Sequence, residues 1–162
     1  ASPNPSAHLA IDIFVHRNIA NLVIHTDINF LSVLNYAVNY LKVPHIIVCG
    51  HYNCGGVKAA LSQSNFGLIN NWVRNIKDTY FTNKVEIEKI PDEKGRVNKL
   101  VELNVVAQVQ NLSRTSIIQE AWHNNQPLHI HGWVYDLNTG KLNELISLHP
   151  ETEIDSVYKY EF

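Results

Sequence analysis

Two side chains with metal-binding chemistry stand three residues apart in the run His-Ile-Ile-Val-Cys-Gly-His-Tyr-Asn-Cys-Gly-Gly, residues 45–56: the imidazole of His51 and the thiol of Cys54. A borderline-soft ion such as Zn²⁺ takes nitrogen and sulfur donors of this kind at about 2.0–2.3 Å. A strand that ends at Gly50 and turns sharply into a helix would aim both side chains into one small volume at the carboxyl edge of a sheet, where open α/β sheets place their ligands. A lone His-x-x-Cys is a weak signal; the framing by Gly50, Gly55 and Gly56 strengthens it. Catalytic zinc takes three protein ligands and keeps one position open. The chain has two cysteines in all, so the one further thiol is Cys49. That residue sits in an apolar run, and free cysteine is among the most buried residue types, so it reads first as core. A Cys49–Cys54 disulfide is the redox alternative, but an intracellular-looking chain with two cysteines favours metal or catalysis.

The elements that position these residues follow from periodicity and punctuation. Residues 1–10, with two prolines and two serines, read as an irregular lead-in. A first strand is expected over 11–15. Asp27 caps a helix running to about residue 41, with Ile28, Leu31, Leu34, Val38 and Leu41 on one face and Pro44 beyond its end. The unbroken apolar stretch 46–49 suits a central strand of a parallel sheet, covered on both faces. Helices are predicted over 57–61, 68–81, 97–112 and 114–124, with a charged loop or helix lead-in over 83–95. Leu68, Ile69, Trp72, Ile76 and Tyr80 form an apolar stripe for core or subunit contact. Segments 128–137 and 141–148 flank Asn138-Thr-Gly140 and read as a hairpin. The 157–162 tail alternates polar and apolar residues, as expected for a segment laid on a sheet edge or a partner subunit.

At 162 residues the chain suits one domain over 11–162, with about 70% of its unfolded surface buried. A hydrophobic share of 45% with 17% charged residues is ordinary for a globular protein, and a net charge of −2 offers no basic footprint for nucleic acid. No apolar run reaches the ~18 residues of a membrane span, and residues 1–10 have neither the basic nor the apolar region of a signal peptide. The expectation is a cytoplasmic protein with neither a membrane nor a nucleic-acid partner. The nine histidines are mostly scattered singly, as surface or satisfied core residues are.

Residues 45–56 closely resemble the second zinc-ligand motif of the β-class carbonic anhydrases. The resemblance extends to Asp-Ile-Phe-Val-His-Arg-Asn-Ile-Ala-Asn at 12–21, Leu-Ser-Val-Leu-Asn-Tyr-Ala-Val at 31–38, Arg-Thr-Ser-Ile-Ile at 114–118 and His-Ile-His-Gly-Trp-Val-Tyr-Asp at 129–136. It implies an α/β fold, a mostly parallel central sheet flanked by helices. It also implies zinc-dependent, reversible hydration of CO₂ to bicarbonate, His51 and Cys54 as zinc ligands, and a homodimer or higher homo-oligomer.

Family members carry a further strand, upstream of the segment matching 12–21, that ends in Cys-x-Asp-x-Arg. It supplies the remaining protein ligand and an Asp–Arg pair at the metal's fourth position; residues 1–10 contain no such motif. Two consequences are expected. The chain is either an incomplete carbonic anhydrase that binds zinc weakly by itself, or a non-catalytic relative with an assembly or binding role; a site completed by Cys49, another histidine or a neighbouring chain is the third reading. By resemblance, the absent strand also belongs between 11–15 and 46–49, so ladder groups there lose their partner. Around the motif, Asn18 and Asn21 are expected to hold loop backbone, and Gly55 and Gly56 to frame the pocket. Arg17 is expected to contact an anion or, more in keeping with a sheet end, to pair with Asp27 or Asp136. Tyr135 matches a position that, in some relatives, helps hold a regulatory bicarbonate.

Overall fold

The computed structural model describes residues 13–162; the lead-in at 1–10 and the first two residues of the expected 11–15 strand lie outside that range. Helix α1 (Ile28–Asn35) runs into a π-helical turn at Tyr36–Tyr40, followed by β1 (His45–His51), α2 (Gly55–Leu61), α3 (Ile69–Thr82) and α4 (Lys84–Glu88). The chain continues through α5 (Glu93–Ser113), α6 (Ser116–His123), β2 (His129–Asp136) and β3 (Lys141–Leu148). β1 pairs parallel with β2, and β2 antiparallel with β3, in the order β1-β2-β3. The α/β class is as expected, with a small mixed sheet among the described residues.

The sheet is seated on α5. Val97, Leu100, Val101, Val105, Val109 and Leu112 recur at three- and four-residue intervals along this helix, and all are buried. Two glycines on adjacent strands let the helix come close. A Cβ on Gly132 would lie 2.7 Å from Ile146 Cγ2 and 3.0 Å from both Val105 Cγ1 and Val109 Cγ2; one on Gly50 would lie 2.7 Å from Val105 Cγ2. Gly132→Val is therefore expected to lower stability by about 1–3 kcal/mol or more through overpacking. Chemical denaturation checks this, and an unchanged midpoint would show that α5 is not held against β2.

Polar residues set the helix limits. The Asp27 carboxylate accepts from the N–H groups of Asn29 and Phe30, and Asp92 accepts from that of Gly95. Thr115, in extended backbone, accepts from Ile118 and starts α6, which separates that helix from α5. Gly140, at φ 70°, closes the hairpin. There Asp136 accepts from the Asn138 N–H and the Thr139 hydroxyl. The backbone donor from Asn138 is the main cause that holds the Asp136 carboxyl below its ordinary range.

Several expectations are corrected. Residues 13–15 are irregular backbone, with Ile13 and Val15 exposed, because no described strand lies beside them to pair with. β1 is an edge strand among the described residues, with Val48 and Gly50 buried under α5 and Ile47 and Cys49 exposed on the other face. Cys49 is thus not core, although partial burial still raises its thiol pKa. Of the five apolar positions expected to share a face over 27–41, Leu34 and Val38 are buried while Ile28 and Leu41 are exposed. The charged 83–95 stretch contains α4, which buries Ile87. The tail forms a single 3₁₀ turn at Ser156–Tyr158 and lies on α6, not on a sheet edge. Gln119 donates to the Tyr158 carbonyl and accepts from the Tyr160 N–H, while Arg114 stacks 4.1 Å above the Tyr158 ring.

Candidate metal centre

His51 is the last residue of β1, and Cys54 is the buried residue that leads into α2. The turn between them is fixed from three sides. The Tyr52 N–H donates to the Tyr135 carbonyl on β2, at 3.1 Å. Its hydroxyl donates to Glu102 of α5, at 2.7 Å, and desolvation, followed by this carboxylate, raises the phenol's pKa. The Asn53 N–H donates to Asn98 Oδ1, also on α5, at 3.1 Å. Asn53 sits at φ 58°, a left-handed conformation that asparagine tolerates better than most residues.

The hydrogen bonding of His51 prepares one ring nitrogen. Nδ1 lies 3.0 Å from the Tyr52 carbonyl oxygen. A carbonyl only accepts, so Nδ1 carries the proton in the neutral ring and Nε2 keeps its lone pair for a Lewis acid. This is the backbone-oriented imidazole that metal sites use.

The segment 18–21 packs against the same turn. Asn18 accepts from the Leu22 N–H and donates to the Leu22 carbonyl, both at 2.8 Å, which closes the loop as expected. Asn21 stands beside Gly50, with Oδ1 3.2 Å from where a Cβ there would lie, but its buried Nδ2 has no hydrogen-bond partner among the described residues. A Cβ on Gly56 would lie 3.0 Å from Ile19 Cγ2 and 3.3 Å from Ala20 Cβ, so that glycine lets the segment approach α2; Gly55 faces open space. Tyr135 is the register partner of His51. Arg17 is exposed and makes no ion pair among the described residues, since Asp27 and Asp136 are engaged by their own caps.

The donors here suit zinc in type and fall short in number. Among the described residues, no group of three or more His, Cys, Asp or Glu side chains is arranged to hold a metal ion. Cys49 joins no such group among the described residues.

Solved structures share this architecture. One of two tetrameric β-carbonic anhydrases from the filamentous ascomycete Sordaria macrospora superposes with a TM-score of 0.81 at 41% identity, covering 85% of this chain and 70% of that one. The Coccomyxa β-carbonic anhydrase, solved in complex with acetazolamide, gives 0.77 at 41% identity over 83% and 62% of the two chains. A family model described as carbonic anhydrase matches residues 7–142. The chain belongs to the β-carbonic anhydrase family. Curated relatives named carbonic anhydrase include one from Emericella nidulans, 48% identical over 83% of this chain, and one from Candida albicans, 36% identical over 94%. The chain spans 59% and 54% of those two relatives' lengths. None of these matches supports the non-catalytic alternative.

One set of residues that builds this β-carbonic anhydrase site escaped the sequence reading. Gln108, buried on α5, accepts from the Val23 N–H at 2.8 Å and donates to Asn104 Oδ1; Asn104 donates to the Ala20 carbonyl, and Asn111 to the Val23 carbonyl. This amide ladder holds the 20–23 backbone against α5 and so the 18–21 segment over the Cys54 turn. Its signal was available: two amides four residues apart on an otherwise apolar helix face, where polar groups persist only if hydrogen-bonded.

Proposed function

We propose that this protein catalyses the reversible hydration of CO₂ to bicarbonate and a proton, using a zinc ion held in part by His51 and Cys54. The observation that carries the reading is the His51 ring, whose Nδ1 is committed to the Tyr52 carbonyl and whose Nε2 is left as a donor on the same turn as the Cys54 thiol. Zinc supplies Lewis acidity that brings the pKa of water toward ~7, so that hydroxide forms at neutral pH. The residues of this chain supply aim and shelter. Tyr52, Asn53, Glu102 and Asn98 hold the turn, and the 18–21 segment packs against Gly56 in the first turn of α2. The further protein donor lies outside the described residues.

The same reading includes a homo-oligomer, in keeping with the tetrameric Sordaria enzymes. It also includes a cytoplasmic location, supported by two free thiols, which imaging of the tagged full-length protein checks. The functional test is elemental analysis and stopped-flow CO₂ hydration on the purified full-length protein. One zinc per chain with rapid hydration is expected; a metal-free, folded protein without hydration activity would overturn the proposal.

A further inference from the structure

The amino ends of β1 and β2 carry three histidines on the sheet face turned away from α5. His45 and His129 are register partners, and His131 follows two residues later on the same face of β2. Their ring centroids are 5.4 Å apart for His45 and His129, 5.2 Å for His45 and His131, and 6.4 Å for His129 and His131. His45 Nδ1 and His131 Nε2 face each other at 3.0 Å. Two nitrogens bound to one ion at ~2.0–2.1 Å stand about 2.9–3.4 Å apart for angles between a right angle and a tetrahedral one. The pair therefore already has the spacing of two ligands on a shared cation.

The surroundings of His131 complete the pattern. Its Nδ1 lies 3.2 Å from Ser147 Oγ and 3.6 Å from Glu144 Oε2, and the carboxylate is steadied by the Trp133 indole N–H at 3.0 Å. A carboxylate behind the outer nitrogen keeps the proton there and directs the other lone pair at a metal. The hydrogen shared between His45 and His131 has a place to go whichever ring donates it: to Nδ1 of His131, facing Ser147 and Glu144, or to the outer nitrogen of exposed His45. Nearby acid continues with Glu151, 2.8 Å from His149 Nδ1. No lysine or arginine forms an ion pair with these acids among the described residues.

We propose that His45 and His131 chelate a divalent transition-metal ion, with His129 as a third ligand once its ring rotates toward the pair. Imidazole donors select Cu²⁺, Zn²⁺ or Ni²⁺ over Mg²⁺ or Ca²⁺, and Cu²⁺ binds most tightly. Rotation of His129 is required because no three donors already stand in ligand geometry among the described residues. The site is separate from the His51–Cys54 turn, which lies at the other end of β1, about 20 Å away.

The test is Cu²⁺ titration of the metal-free full-length protein by calorimetry, with electron paramagnetic resonance to count coordinated nitrogens. The titration is run in the Cys54→Ser background, which silences the other site; two or three imidazole nitrogens are expected there, with at least about tenfold weaker binding when either His45→Gln or His131→Gln is added. His45 is exposed at a strand start, so His45→Gln decides the matter even if His131→Gln misfolds. Equal Cu²⁺ affinity and unchanged nitrogen coupling in His45→Gln would overturn the proposal. Loss of the signal in Cys54→Ser alone would do the same, by placing the ion at the other site.

Discussion

His51→Ala and Cys54→Ser, each in the full-length protein, are expected to abolish stoichiometric zinc and to lower CO₂ hydration by more than about 100-fold. Changes to the outer partners of a metal site already cost about 10–100-fold, and these substitutions remove the donor atoms themselves. Folding should survive. His51 is half-exposed, and serine closely matches cysteine in volume at the buried Cys54 position. Cys49→Ser is the control, because its thiol lies on the exposed sheet face and joins no metal-holding group among the described residues. Elemental analysis and stopped-flow assays, with circular dichroism to verify the fold, read all three. Full zinc occupancy in Cys54→Ser would refute the assignment, as would activity loss in Cys49→Ser matching that in Cys54→Ser.

Gln108→Leu is expected to destabilise the protein by about 2–4 kcal/mol, because it strands the buried Val23 N–H and Asn104 Oδ1, and each orphaned group costs about 1–3 kcal/mol. The damage should be directional. The 20–23 backbone loses a clamp to α5, so amide exchange at Val23 accelerates more than exchange within β2, which keeps its ladders. Zinc affinity should fall with it, by up to about 100-fold, as for other partners that only position ligands. If Gln108→Leu left both stability and Val23 protection intact, the ladder would not be what seats the 18–21 segment.

The histidine and cysteine of the 45–56 run were readable because their role follows from residue type, spacing and punctuation within a dozen residues. The same holds for the Asp27 cap, the Gly140 turn and the apolar periodicity of α5, all of which act through neighbours close in sequence. What the run could not disclose was which face of β1 would be covered. Ile47 and Cys49 look like core in a continuous apolar stretch, yet α5 lies on the other side, where Gly50 and Gly132 leave it room. Long-range pairing likewise decided the fate of the polar residues. Gln108 reaches Val23 across 85 positions, and Asp136 goes to its own turn and not to Arg17. It also set three scattered histidines side by side, since the register of β1 on β2 alone makes His45 a neighbour of His129 and His131. Local propensity and pattern are written along the chain; side-chain partners across strands and helices exist only once backbone pairing and core packing have brought distant segments together.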